Sequence, residues 1–185
     1  MGKIRSLIYV LLFVTIGVSA QSFEGVVTYK NLFKSKSPSM TDQQLTQALG
    51  GMQQYLIKGG NYKIKSNGTL LRWQLYRENS KILYTKMSNS QALTETDATK
   101  LKDSVVSIQL NKEAYNYLGT PCDELVIVSK KGAQKFYFNS SILKIDAENF
   151  KNFKFRNWYT YLTYANALPV RILIENDDFI MESVI

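Results

Sequence analysis

Tyr62-Lys63-Ile64-Lys65-Ser66-Asn67-Gly68-Thr69-Leu70-Leu71-Arg72-Trp73-Gln74-Leu75 is the stretch that decides the fold. Tyr62 and Ile64 alternate with Lys63 and Lys65; beyond Asn67-Gly68, Leu71, Trp73 and Leu75 alternate with Arg72 and Gln74. A period of two sends alternate side chains to opposite faces of a strand. Asn-Gly between two such runs predicts a hairpin, because both residues reach positive φ at low cost. Antiparallel pairing of neighbouring segments follows.

The same pattern extends both ways. Upstream, Phe23, Gly25, Val27 and Tyr29 alternate with Glu24, Val26, Thr28 and Lys30 in a first strand. Downstream, Asn79-Ser80 makes a turn and residues 82–87 continue the meander. Val106, Ile108 and Leu110 alternate with Ser107 and Gln109, Leu118-Gly119-Thr120-Pro121 breaks the run, and residues 122–129 form a strand rich in β-branched residues. Lys130-Lys131-Gly132 turns it back into residues 134–138. Residues 157–164 and 170–175 read as further strands, and Asn176-Asp177-Asp178 turns into a closing strand over 179–185. Pro169 stands at a strand's beginning, where a missing N–H does least harm.

Two stretches break the alternation. Thr41-Asp42-Gln43-Gln44 is a capping-box pattern, and Leu45, Leu49 and Met52 recur at helical spacing around Gly50-Gly51, so a helix is expected over about residues 41–50. The polar residues 92–103 read as a short helix or a loop. One helix among many strands points to an α+β fold, mostly antiparallel β, with the sheet curled over the helix.

The chain has 185 residues and opens with a tripartite export pattern. Lys3 and Arg5 precede an apolar run from residue 7 to 18, and Val18-Ser19-Ala20 places small residues where a signal peptidase reads. Residues 1–20 are therefore expected to be a signal peptide cleaved before Gln21, leaving one β-rich domain over 21–185. The run is shorter than the ~20 residues of a membrane span, so no transmembrane span is expected in the mature chain. No Cys stands at the cut, as a bacterial lipoprotein requires. Cleavage removes two positive charges and no negative ones, taking the net charge from +8 to +6. The lysines are scattered in ones and twos, as on a solvated sheet face, rather than gathered into a patch.

Absences exclude chemistry. With no histidine in the chain, Ser-His and Cys-His nucleophile pairs and His-based metal sites are ruled out. Cys122 is the single cysteine, so no intramolecular disulfide forms; beside a turn and opening an apolar strand, it reads as a small buried hydrophobe. The acidic clusters Asp123-Glu124, Asp146/Glu148 and Glu175/Asp177/Asp178 adjoin turn residues and read as strand ends rather than catalytic or calcium-binding pairs. No Gly-rich phosphate loop follows a strand. The chain reads as non-catalytic, with no cofactor and no metal. Between residues 150 and 164 aromatics interleave with basic residues; export argues against a nucleic-acid partner, leaving sheet packing or an apolar groove.

Leu118-Gly119-Thr120-Pro121-Cys122, the aromatic strand Lys135-Phe136-Tyr137-Phe138, the acidic-aromatic stretch from Ile145-Asp146 to Phe150, Asn157-Trp158 and Leu168-Pro169-Val170-Arg171 together resemble an uncharacterised family of exported Bacteroidota proteins. The first strand, Phe23-Glu24-Gly25-Val26-Val27-Thr28-Tyr29, resembles that family's usual opening. The family is distantly similar to the carriers and receptors that sort outer-membrane lipoproteins. That resemblance implies a curved, open-barrel antiparallel sheet with one or two short helices, whose concave apolar face holds acyl chains beneath a helical lid. A periplasmic or outer-membrane-associated location is expected, with a ligand face formed by Trp73, Phe136, Phe138 and Trp158. The leading reading is a non-catalytic envelope protein that binds a lipid, a lipoprotein acyl chain or another apolar ligand. The alternative is an interaction or scaffold protein that binds another envelope protein and holds no small ligand. A carboxylate-based hydrolase comes third.

Overall fold

The computed structural model describes residues 22–185 except Lys102. The leader read at residues 1–20, with its cut before Gln21, lies outside the described residues. In chain order the elements are β1 (Gly25–Ser35), α1 (Asp42–Leu49), β2 (Met52–Lys58), β3 (Asn61–Ser66), β4 (Leu71–Arg77), β5 (Ile82–Met87), β6 (Leu93–Asp97), β7 (Val105–Tyr117), β8 (Thr120–Ser129), β9 (Gly132–Phe138), α2 (Trp158–Ala165), β10 (Arg171–Glu175) and β11 (Phe179–Val184). Two 3-10 turns, Ala147–Phe150 and Phe155–Asn157, precede α2.

All eleven strands form one antiparallel sheet in the order β6-β5-β4-β3-β2-β1-β11-β10-β9-β8-β7. The chain runs outward from β1 to one edge, crosses to the other, and returns to pair β11 with β1. The crossing, residues 98–104, dictates the shape. Flat, the two edges of eleven strands would stand about 48 Å apart, whereas the eight Cα steps of the crossing reach at most about 29 Å. The sheet must curl, and it does so without closing: β6 and β7 remain its free edges.

β1 shows the expected alternation, burying Val27, Tyr29, Asn31 and Phe33 and exposing Val26, Thr28 and Leu32. Hairpin register sets the faces elsewhere. Tyr62 pairs with Tyr76 and Ile64 with Gln74, so these residues look into the curl. A bulge between Leu71 and Trp73 then reverses the phase of β4, turning Leu71 inward. Trp73, in register with Lys65, is left on the outer face.

The Asn67-Gly68 turn differs from its reading. Four residues, not two, separate β3 from β4, and the loop is built against α1. Met52 N–H donates to Asn67 Oδ1 at 2.9 Å, while Thr69 N–H donates to Gln47 O and Leu70 N–H to Ala48 O. A Cβ on Gly68 would lie 2.5 Å from Ala48 O, so glycine is needed here for close approach rather than for a positive φ. A two-residue turn with both φ positive occurs instead at Leu118-Gly119, with φ of 48° and 85°, the type I′ pattern that matches strand twist.

The capping box is present as read: Gln44 N–H donates to Thr41 Oγ1 and Thr41 N–H to Gln44 Oε1, and α1 begins at Asp42. Yet α1 buries no residue completely. The sheet curls instead over α2, in the segment read as a strand, where Tyr161, Leu162 and Ala165 are buried. Residues 92–103, read as helix or loop, contain β6. β7 extends well beyond residues 106–110 because a bulge between Asn111 and Tyr115 bends it and lets pairing with β8 resume.

The lid that carries α2 is held at both ends. Ile145 N–H donates to Asn166 O, Leu168 N–H to Leu143 O, and Lys154 N–H to Ala98 O on the β6–β7 crossing. Beneath it, Phe150 and Phe153 are driven into the core, each such burial contributing about 1.5–3 kcal/mol.

Candidate functional site

The inner face of the sheet does not pack solidly against the lid. A cavity of about 250 Å³ lies between them, floored by Ile57, Ile64 and Ile172 and roofed by Phe153, Phe155 and Trp158. The wall side chains reach inward because Tyr55, Ile57, Tyr62 and Ile64 are the inward phase of the paired strands β2 and β3. Phe153 anchors the roof, its ring 4.4 Å from that of Tyr76 and 5.0 Å from that of Tyr62. Phe136 stacks on Tyr161 at 4.3 Å and meets Trp158 edge-on at 6.5 Å. Such contacts fix the roof's position beyond what area burial alone achieves.

Four polar side chains interrupt the apolar surface: Gln53, Gln74, Gln134 and Arg156. Gln74 Nε2 donates to Thr85 Oγ1 at 3.1 Å, and Gln134 Oε1 accepts from the buried Asn157 Nδ2 at 3.1 Å. Arg156 belongs to no ion pair among the described residues. Its guanidinium stands 5.4 Å over the Phe155 ring. Burial pushes the Tyr55 hydroxyl up to about 12 and that of Tyr62 well above its ordinary value, and in both cases the Arg156 charge opposes the shift. A cation at the rim of a low-dielectric chamber acts this way on groups that would become anions.

The residues expected to form the ligand face are only partly brought together. Phe136 and Trp158 line the cavity. Phe138 lies deeper, packed edge-on against Tyr161 at 5.8 Å, and does not reach the cavity wall. Trp73 is on the outer face with the Lys63 ammonium 4.9 Å above its ring, because the β3–β4 register sets it opposite Lys65 while Gln74 and Tyr76 take the inward phase. Reading from sequence missed Phe153, Phe155 and Arg156 as site residues. A signal was present: Trp158, Tyr161, Leu162 and Ala165 fall at i, i+3, i+4 and i+7, the spacing of a helix face.

Reactive groups lie elsewhere. Cys122 is fully buried with Tyr137 and Val170 in a second, smaller cluster, and burial raises its thiol above the ordinary value. Asp123 is bonded to Lys112 at 2.7 Å and Glu124 accepts from Asn111 Nδ2 at 2.7 Å. Asp146 caps a 3-10 turn, and Asn176 Oδ1 accepts from the N–H groups of Asp178 and Phe179. Among the described residues, no group of three or more Cys, Asp or Glu is gathered to hold a metal ion.

The chain matches no protein-family model, and no curated protein matches its sequence. The cavity is thus read from its own geometry.

Proposed function

We propose that this is a non-catalytic protein of the bacterial envelope that binds an acyl chain or similar apolar ligand inside its curled sheet. The observation that carries the reading is the aromatic-walled chamber left between the curled sheet and the lid. Protein interiors are close-packed, so a pocket of this size among large apolar side chains is an exception to be explained. A predominantly apolar pocket with a few placed polar groups is the ordinary form of a small-molecule site. The export pattern at residues 1–20 and the resemblance to lipoprotein carriers point the same way, and to a periplasmic setting.

The two tryptophans provide an internal control, since Trp158 lines the chamber and Trp73 lies on the far side of the sheet. Titration with a bromine-labelled fatty acid should quench the fluorescence of Trp73→Phe, in which Trp158 alone emits. It should leave Trp158→Phe, in which Trp73 alone emits, essentially unquenched. Equal quenching of both variants, or of neither, would reject the interior site.

A second reading, docking of another envelope protein, is favoured by the length of β7, 13 residues with one unpaired edge and with Val106 and Leu110 exposed. The bulges in β7 and the charged residues at its bend, Lys112 and Glu113, are devices that discourage strand addition. The interior site is therefore preferred.

A further inference from the structure

Beside the chamber lies a second cavity of about 220 Å³ of different character. Gln134, Phe155, Arg156, Ile174, Phe179 and Met181 line both and form the partition, with Arg156 its one charged residue. Beyond it the walls carry Asp103, Ser129, Lys131, Asn157 and Glu175. The two carboxylates there are engaged: Glu175 is bonded to Lys36 at 2.8 Å, and Asp103 accepts from Ser129 Oγ. Arg156 and Lys131 have no acidic partner among the described residues. Glu175 is neutralised by Lys36, whereas Asp103 keeps its charge beside a neutral hydroxyl, so against the two free cations the outer compartment carries a net charge of +1.

The backbone at the partition is unusual in the same sense. Arg156 (φ 51°, ψ 38°) and Asn157 (φ 60°, ψ 20°) are consecutive left-handed residues, neither of them glycine. Such residues are strained and persist where the surroundings impose them. The kink turns Arg156 to the shared wall at the start of α2. Next in sequence, Trp158 Nε1 is buried with no hydrogen-bond partner, as is Asn157 Oδ1. Buried polar groups are seldom left so.

Resting on the apolar-ligand reading above, we infer that the ligand is a single-chain amphiphile with an anionic head group, its chain in the apolar chamber and its carboxylate or phosphate at Arg156. An acyl chain in the first cavity would deliver its head to the partition. There the guanidinium offers a forked set of donors suited to either oxyanion. A chamber of about 250 Å³ lies below the usual range for ligand sites, which favours one chain over the several chains of a lipoprotein.

The test measures binding of three probes by displacement of a fluorescent fatty acid: a saturated fatty acid, its methyl ester, and the alkyl phosphate of the same chain. The acid and the phosphate should each bind about tenfold tighter than the ester, the effect of one charge-assisted hydrogen-bonded contact. Arg156→Gln should erase that preference, and Arg156→Lys should restore part of it. A stronger response to acid or to phosphate identifies the head group. If the wild-type chain binds ester and acid equally, or if Arg156→Gln weakens all three probes alike, the head-group assignment is overturned while the interior site stands. If no probe binds, the apolar-ligand reading itself fails. A diacyl phospholipid that displaces the probe as well as the single-chain acid does would overturn the single-chain assignment.

Discussion

Tyrosines are the residues through which this interior reports on its own polarity. Tyr29 is buried and donates its hydroxyl to Pro169 O at 2.7 Å, and Tyr161 donates to Ala167 O at 2.8 Å. Burial raises the hydroxyls of Tyr29, Tyr62 and Tyr161 well above the ordinary 10.0, and those of Tyr55, Tyr76 and Tyr137 up to about 12. The folded state therefore keeps protons that the unfolded chain gives up near pH 10. Stability from these groups is complete below that point and is lost as pH rises from 10 through about 12 and beyond. Urea unfolding midpoints should be level up to about pH 9.5 and fall steeply above it, together with a delayed phenolate absorbance change. A phenolate titration centred near 10 for all eleven tyrosines of residues 21–185, with no fall in midpoint, would contradict the buried placement.

At the scale of elements, what was legible from sequence was whatever depended on local chemistry. The capping box at Thr41 and Gln44 fixed where α1 starts, and turn residues placed the β8–β9 and β10–β11 hairpins. What was not legible depended on packing. Residues 157–164 are rich in Trp, Tyr and Thr, which favour strands on an open face, but here the curled sheet supplies a concave surface on which a helix buries Tyr161 and Leu162 completely. Where the expected ligand-face residues lie depended on packing in the same way. Phe136 and Trp158 reach the cavity, whereas Trp73 stands opposite Lys65 on the outer face, a register that no local pattern announces. The β7–β8 turn yields a prediction of its own. Leu118 holds φ 48° with its side chain 88% exposed, so it carries left-handed strain without compensating burial. Leu118→Asn should raise stability by about 1 kcal/mol, because Asn tolerates this conformation and Asn-Gly is the preferred type I′ pair. Chemical denaturation of the two chains would show it; an unchanged or lowered midpoint would mean that Leu118 is covered in solution.

For the whole molecule, a short crossing between the two sheet edges forces the curl, the curl creates a concave apolar face, and the lid roofs that face without filling it. No helix among the described residues is long and apolar enough to cross a membrane. On the proposed reading the leader exports the chain, and its apolar chamber is a means of moving or holding a chain that water will not dissolve. The most direct test is native mass spectrometry of residues 21–185 purified gently from a bacterial periplasm. The account predicts a mass above that of the bare chain, with the excess released by organic extraction and identified as a single-chain lipid. A bare monomer mass, unchanged after incubation with the lipids of that host, would contradict it.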